Sequence, residues 1–184
     1  MKKIIILLIL VLTMVVPVIW FGFYNVAAND KHFSITTQIL ELVRNRSISA
    51  RSNGIEIPDL DDAELINEGA KNYADMCTGC HLAPGMEVTE LHSGLYPKPP
   101  VFNKSGYQNS PAAQFWVIKN GIKMTGMPAW SPPHTDEQVW GMVAFIRYSK
   151  NLSPEQYQSL LMQPQSNLDK NAIPESKGRH NHSH

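Results

Sequence analysis

Cys77-Thr78-Gly79-Cys80-His81 is the stretch on which the reading of the chain turns. Two thiols lie three positions apart, and an imidazole directly follows the second. That spacing lets both thiols bond to the vinyl groups of a single haem while the adjoining histidine reaches the iron. The same residues admit two other readings. A redox dithiol of the thioredoxin kind belongs to a strand–helix setting in an α/β fold, whereas this motif follows an amphipathic helical pattern in a chain with no strong strand signal. A structural zinc site needs a second ligand pair, and the chain has no further cysteine. Two cysteines this close cannot staple a distant loop either, so a disulfide framework is excluded.

Working upstream, Asp61 with Glu64 resembles a capping box, and Leu65, Gly69, Tyr73 and Cys77 fall at successive i+4 positions of the helix it would open. One face of that helix leads straight to the cysteines. Asn53-Gly54 and Pro58 mark a boundary before it. Residues 29–58 form a membrane-proximal segment in which Ser34 is expected to cap a helix with Ile35, Ile39, Leu42 and Val43 on one side. That side can lie against a membrane or against the main domain.

Downstream, Leu82 to Ser110 is rich in proline and glycine, lacks periodicity and reads as loop. Ser110-Pro111 begins a second helix ending at Asn120-Gly121. Thr135 with Gln138 opens a third, with Val139, Trp140, Val143, Phe145 and Ile146 on a broad apolar face. A short fourth starts at Ser153-Pro154. Residues 59–163 are thus expected to be one domain, and 164–184 a polar, disordered tail.

At the N-terminus, Lys2 and Lys3 precede an apolar run from Ile4 to Tyr24, long enough to span a bilayer. The lysines should stay in the cytoplasm, which sends the rest of the chain across. Residues 1–28 are read as an uncleaved anchor, with a cleaved signal ending near Val26-Ala27-Ala28, and hence a soluble periplasmic protein, as the alternative. Sixteen basic and sixteen acidic side chains leave no net field to recruit nucleic acid.

A haem iron held by one histidine is either open or closed by a second side chain. Met127, in Thr125-Gly126-Met127-Pro128-Ala129-Trp130, is a candidate, because glycine permits close approach and proline fixes the backbone. On the residues alone Met124 competes with it, and His32, His92 and His134, read as surface or loop residues, stand as substitutes. Phe102, Tyr107, Trp116, Trp130 and Trp140 are candidate pocket walls.

From Asp61 to Asn151 the chain resembles the class I c-type cytochromes, in particular bacterial single-domain modules found alone and as subunits of oxidases and dehydrogenases. The residues that carry the likeness are Gly69, Tyr73, Cys77, Cys80, His81, Ala83-Pro84-Gly85, Gly126-Met127-Pro128-Ala129-Trp130, Val139-Trp140 and Phe145-Ile146. The resemblance implies an all-α fold, with helices wrapped around one covalent haem c. It makes His81 the proximal and Met127 the distal ligand, with Gly69 letting the first helix cross closely against the last. It also implies that the carbonyl of Pro99 or Pro100 orients His81. The anchor, the membrane-proximal segment and the tail lie outside it.

A closed iron has no place for substrate. The expectation is therefore an electron carrier rather than an enzyme, with no catalytic residues, held at the periplasmic face of a bacterial inner membrane. Its partners would be a dehydrogenase or quinol-oxidising complex on one side and a terminal oxidase or other acceptor on the other. Two alternatives stand beside it. One is a small-ligand sensor or enzyme subunit with a displaceable sixth ligand. The other is a metal-binding accessory protein using His180, His182 and His184.

Overall fold

Local capping signals set most of the helix starts. In a computed structural model describing residues 1–104 and 109–163, the helices are α1 (Lys2–Trp20), α2 (Ser34–Ser52), α3 (Ala63–Met76), α4 (Thr78–His81), α5 (Glu90–Gly94), α6 (Pro111–Asn120), α7 (Asp136–Tyr148) and α8 (Pro154–Leu161). A 3₁₀ turn at Ser149–Asn151 follows α7, and no strand occurs among the described residues. The fold is all-α, as expected. Tyr107 and the tail with its three histidines lie outside the described residues.

The Ser110 hydroxyl caps α6, and Pro111 takes the first helical position, where no N–H is needed. Full capping boxes open α7 (Thr135 with Gln138) and α8 (Ser153 with Gln156). Two expected caps fall elsewhere. The cap of α3 is Asp62 rather than Asp61: its extended backbone lets the carboxylate accept from the N–H groups of Glu64 and Leu65 at 2.8 and 2.9 Å. Ser34 does not cap α2 but is its first helical residue, and its hydroxyl accepts from Gln38 instead. The stretch 82–110 is not all loop, since Thr89 caps the short α5 within it.

The core is built where α3 crosses α7. A Cβ on Gly69 would overlap the Gly141 carbonyl, and one on Gly141 would lie 3.1 Å from the Leu65 carbonyl oxygen. Two facing glycines therefore let the backbones touch, and Leu65, Ala70 and Tyr73 interlock with Val139, Met142, Val143 and Phe145. Rings carry the packing outward. Phe145 meets Tyr73 at 5.1 Å and Tyr157 of α8 at 5.8 Å, while Phe115 of α6 stacks on Trp140 at 4.2 Å.

α1 and α2 stand apart from that core. α1 is long and apolar enough to cross a membrane, and none of it is buried. α2 touches α6 through a small cluster of Ile48, Ala113 and Val117. The connection between the two helices closes on itself. Tyr24 and His32 share a 2.7 Å hydrogen bond, and Tyr24 and Phe33 meet edge to face at 6.0 Å. His32 also packs on Tyr96 at 5.2 Å, which ties this junction to the loop preceding Pro100.

Candidate haem centre

The motif is one helical turn grown from the end of α3. Cys77 closes α3 by donating its N–H to the Tyr73 carbonyl, and its own carbonyl accepts from the N–H groups of Cys80 and His81 at 3.1 and 2.8 Å. Offsets of three and four residues set both sulfurs and the imidazole on one side of the turn. Leu82, with φ of 60°, ends the turn. The buried Tyr73 hydroxyl donates to the Leu82 carbonyl at 2.7 Å, so α3 also fixes the exit from the motif.

Burial, with Cys80 adding to it, pushes the Cys77 thiol up to about 12. A redox-active dithiol needs the opposite shift, toward thiolate at neutral pH. Among the described residues no group of three or more metal-binding side chains converges.

His81 is held on two sides. Its Nδ1 lies 2.8 Å from the Pro100 carbonyl oxygen, and its ring stacks on Phe102 with centroids 4.7 Å apart. A carbonyl can only accept, so Nδ1 carries the proton and Nε2 presents its lone pair. Burial holds the imidazole below its ordinary value; the Pro100 hydrogen bond opposes this and the neighbouring His92 reinforces it. Of the two prolines the sequence left open, Pro100 makes the bond.

His92, expected at the surface or in a loop, lies buried in α5, with Nδ1 2.7 Å from the Cys80 carbonyl oxygen. Thr89 donates to the Gly79 carbonyl at 2.5 Å. Together Thr89, the cap of α5, and His92 within it satisfy carbonyls that the short motif helix cannot pair internally. Thr89-Glu90 carries the local signature of a helix start and could have revealed α5. Nothing local foretells the pairing of His92.

Met127 sits in a loop returning along α6. Ile122 N–H donates to the Met127 carbonyl at 3.1 Å, Met127 N–H to the Thr125 hydroxyl at 3.1 Å, and Trp130 N–H to the Ile118 carbonyl at 3.1 Å. Gly121, with φ of 67°, makes this return possible, because a Cβ there would come within 2.6 Å of Pro128 and Ala129 backbone atoms. Met127 is half-buried against both the main core, which includes Cys77 and Phe102, and the Ile48 cluster. Met124 is 96% exposed. Trp140 and Phe102 are buried and Trp130 half-buried at the main core, while Trp116 packs against the Ile48 cluster. His134 is turned to the Trp130 carbonyl at 2.9 Å and His32 to Tyr24.

The residues present fit a haem. Two reduced cysteines and an imidazole with a free Nε2 share one turn, and a thioether packs into the same core. Gln114 buries both amide atoms and Asn103 its Oδ1 without any hydrogen-bond partner from the polypeptide, and Asn67 Oδ1, Lys71 Nζ and Asn72 Nδ2 on α3 are buried in the same way.

An all-helical module with this motif on a tight Gly–Gly helix crossing is a class I c-type cytochrome module, an electron-transfer domain carrying one covalent haem c. Residues 64–146 match the protein family described as cytochrome C oxidase, cbb3-type, subunit III. No curated protein is a significant match to the chain.

Proposed function

We propose that the chain is a membrane-tethered electron carrier whose haem is attached through Cys77 and Cys80 and ligated by His81 and Met127. The observation that carries the reading is the Pro100 hydrogen bond to His81 Nδ1, since it fixes the tautomer and leaves Nε2 as the ring nitrogen with a lone pair to give. A haem so held supplies one-electron redox chemistry and no substrate site. Phe102 and Pro100 keep the imidazole from turning, and the loop bonds at Ile122 and Thr125 keep Met127 from swinging out, so little rearrangement accompanies a change of charge. Thioether ligation and an apolar surround both favour the reduced state.

α1 is the anchor, Lys2 and Lys3 remain on the cytoplasmic side, and the module over 59–163 works at the periplasmic face of a bacterial inner membrane. It takes electrons from a dehydrogenase or a quinol-oxidising complex. The description of the matching family makes a terminal oxidase in the same membrane the natural acceptor. Met127→Leu is the test. The variant should keep its covalent haem after denaturation, lose the absorption feature of an iron–thioether bond, and show a markedly lower reduction potential. An unchanged spectrum would refute Met127 as ligand and favour a sensor or enzyme with a displaceable sixth position.

A further inference from the structure

The stripe of α2 that carries most of its large apolar side chains is turned away from the haem module. Ile35, Ile39, Leu42 and Val43 share one face and are 63%, 54%, 59% and 61% exposed. Ile48, the residue that docks α2 on α6, lies nine positions beyond Ile39, about two and a half turns, and therefore on the opposite side of the helix. The face toward the module is mostly polar, with Thr37, Arg44 and Ser52 beside Ile48. The usual arrangement of an amphipathic helix is thus inverted.

What covers the outer stripe follows from where α2 begins. Its first residue comes after a closed loop, in which the Tyr24 ring meets both His32 and Phe33. Tyr24 lies four residues beyond the end of α1, so the start of α2 is held at the end of the membrane-crossing helix. Trp20, Phe21, Phe23, Tyr24 and Phe33 concentrate there, the aromatic composition of a bilayer–water boundary. Of the charged residues of α2, only Arg46 lies on the side of Ile35, Ile39, Leu42 and Val43, whereas Glu41, Arg44 and Arg51 lie on the side of Ile48. Arg46 continues the apolar stripe, where a long side chain can bury its stem and leave its charge at the phosphates.

Resting on the reading of α1 as an anchor, we infer that α2 lies in the outer surface of the bilayer, its Ile35–Val43 stripe in lipid and its opposite face carrying the haem module. The module then rides on the membrane one helix diameter, ~10 Å, above the acyl boundary. Its attachment at Ile48 and through His32 to Tyr96 limits tumbling about the anchor.

Haem attachment consumes Cys77 and Cys80, so a cysteine introduced elsewhere is the sole free thiol of the loaded protein. Single nitroxide labels at Leu10, Ile39, Leu42 and Gln158 of the full chain, in vesicles of phosphatidylcholine and phosphatidylglycerol, should separate lipid from water through accessibility to oxygen and to a soluble nickel chelate. The oxygen-to-nickel ratio at Ile39 and Leu42 should be severalfold above that at Gln158 and below that at Leu10. Leu42→Glu should lower the ratio at Ile39 severalfold without altering the haem spectrum. A ratio at Ile39 and Leu42 equal to that at Gln158 overturns the inference. Protection from both reagents overturns it too, indicating a second copy if the labels broaden one another and a different protein surface if they do not. Leu10 in lipid with Leu42 in water removes the helix proposal alone, whereas Leu10 in water removes the anchor and the proposal together.

Discussion

The α3–α7 crossing and the α2–α6 contact are both helix pairs, yet they are held by different physics. At the first, facing glycines bring two backbones into contact, and the side chains above and below them, Ala70, Val139, Met142, Val143 and Phe145, are almost wholly removed from water. At the second, Ile48 meets Ala113 and Val117 with Trp116, Ile122 and Met127 half-buried around them, and Ile35, Ile39, Leu42 and Val43 of α2 point elsewhere. The crossing makes a core that can hold a cofactor, whereas the contact only sets an orientation. Burial at the two sites should therefore respond to mutation on different scales and in different readouts.

The largest effect is expected at the glycines. Gly69→Val would drive a branched side chain into the Gly141 carbonyl, which is backbone and cannot rotate aside. The haem-loaded protein should fail to accumulate, as judged by haem staining after denaturing electrophoresis. Normal accumulation would mean that the helices can separate, and the distinction between crossing and contact would fall. Next comes Met142→Ala, which empties a fully buried position of α7 and should cost about 3 kcal/mol in denaturant unfolding of the loaded protein.

How much of this was legible follows from how local each signal is. The starts of α6, α7 and α8 were readable because Ser110, Thr135–Gln138 and Ser153–Gln156 cap through bonds three residues long. The closeness implied at Gly69 is present, but its partner Gly141 could not be paired with it from sequence, since a glycine announces proximity without saying to what. The haem motif was readable as spacing. Its support was not: Pro99 and Pro100 offer identical carbonyls, and only the chain's path makes Pro100 the acceptor. His92 carries no mark distinguishing a histidine buried on the Cys80 carbonyl from one in solvent. The periodicity of α2 was plain, whereas the direction of its apolar face depended on α6, remote in sequence.

Ile48→Ala tests the contact itself. It should cost about 2 kcal/mol at most, because the cluster is small and its surroundings can close around the loss. The effect should appear as earlier hydrogen exchange or proteolysis in α2. A loss matching that of Met142→Ala would show that α2 belongs to the cooperative core.

The smallest effect is expected between two helices of the module, and it decides what holds α6 in place. Lys119 on α6 pairs with Asp136 at the start of α7 at 2.5 Å and lies 5.5 Å from the Phe115 ring. Both charges are substantially exposed, so water and salt screen the pair, and ordering two side chains offsets part of its attraction. Lys119→Ala should therefore shift stability by roughly 0.5 kcal/mol, and the difference should shrink further at high salt. Directly beneath, Phe115 and Trp140 stack at 4.2 Å with planes 17° apart, an apolar contact that salt does not weaken. If the lysine substitution instead approached the cost of Met142→Ala, α6 would be held by charge rather than by that stack. The weakness of the α2 contact on the far side of α6 could then no longer be ascribed to how little apolar surface it buries.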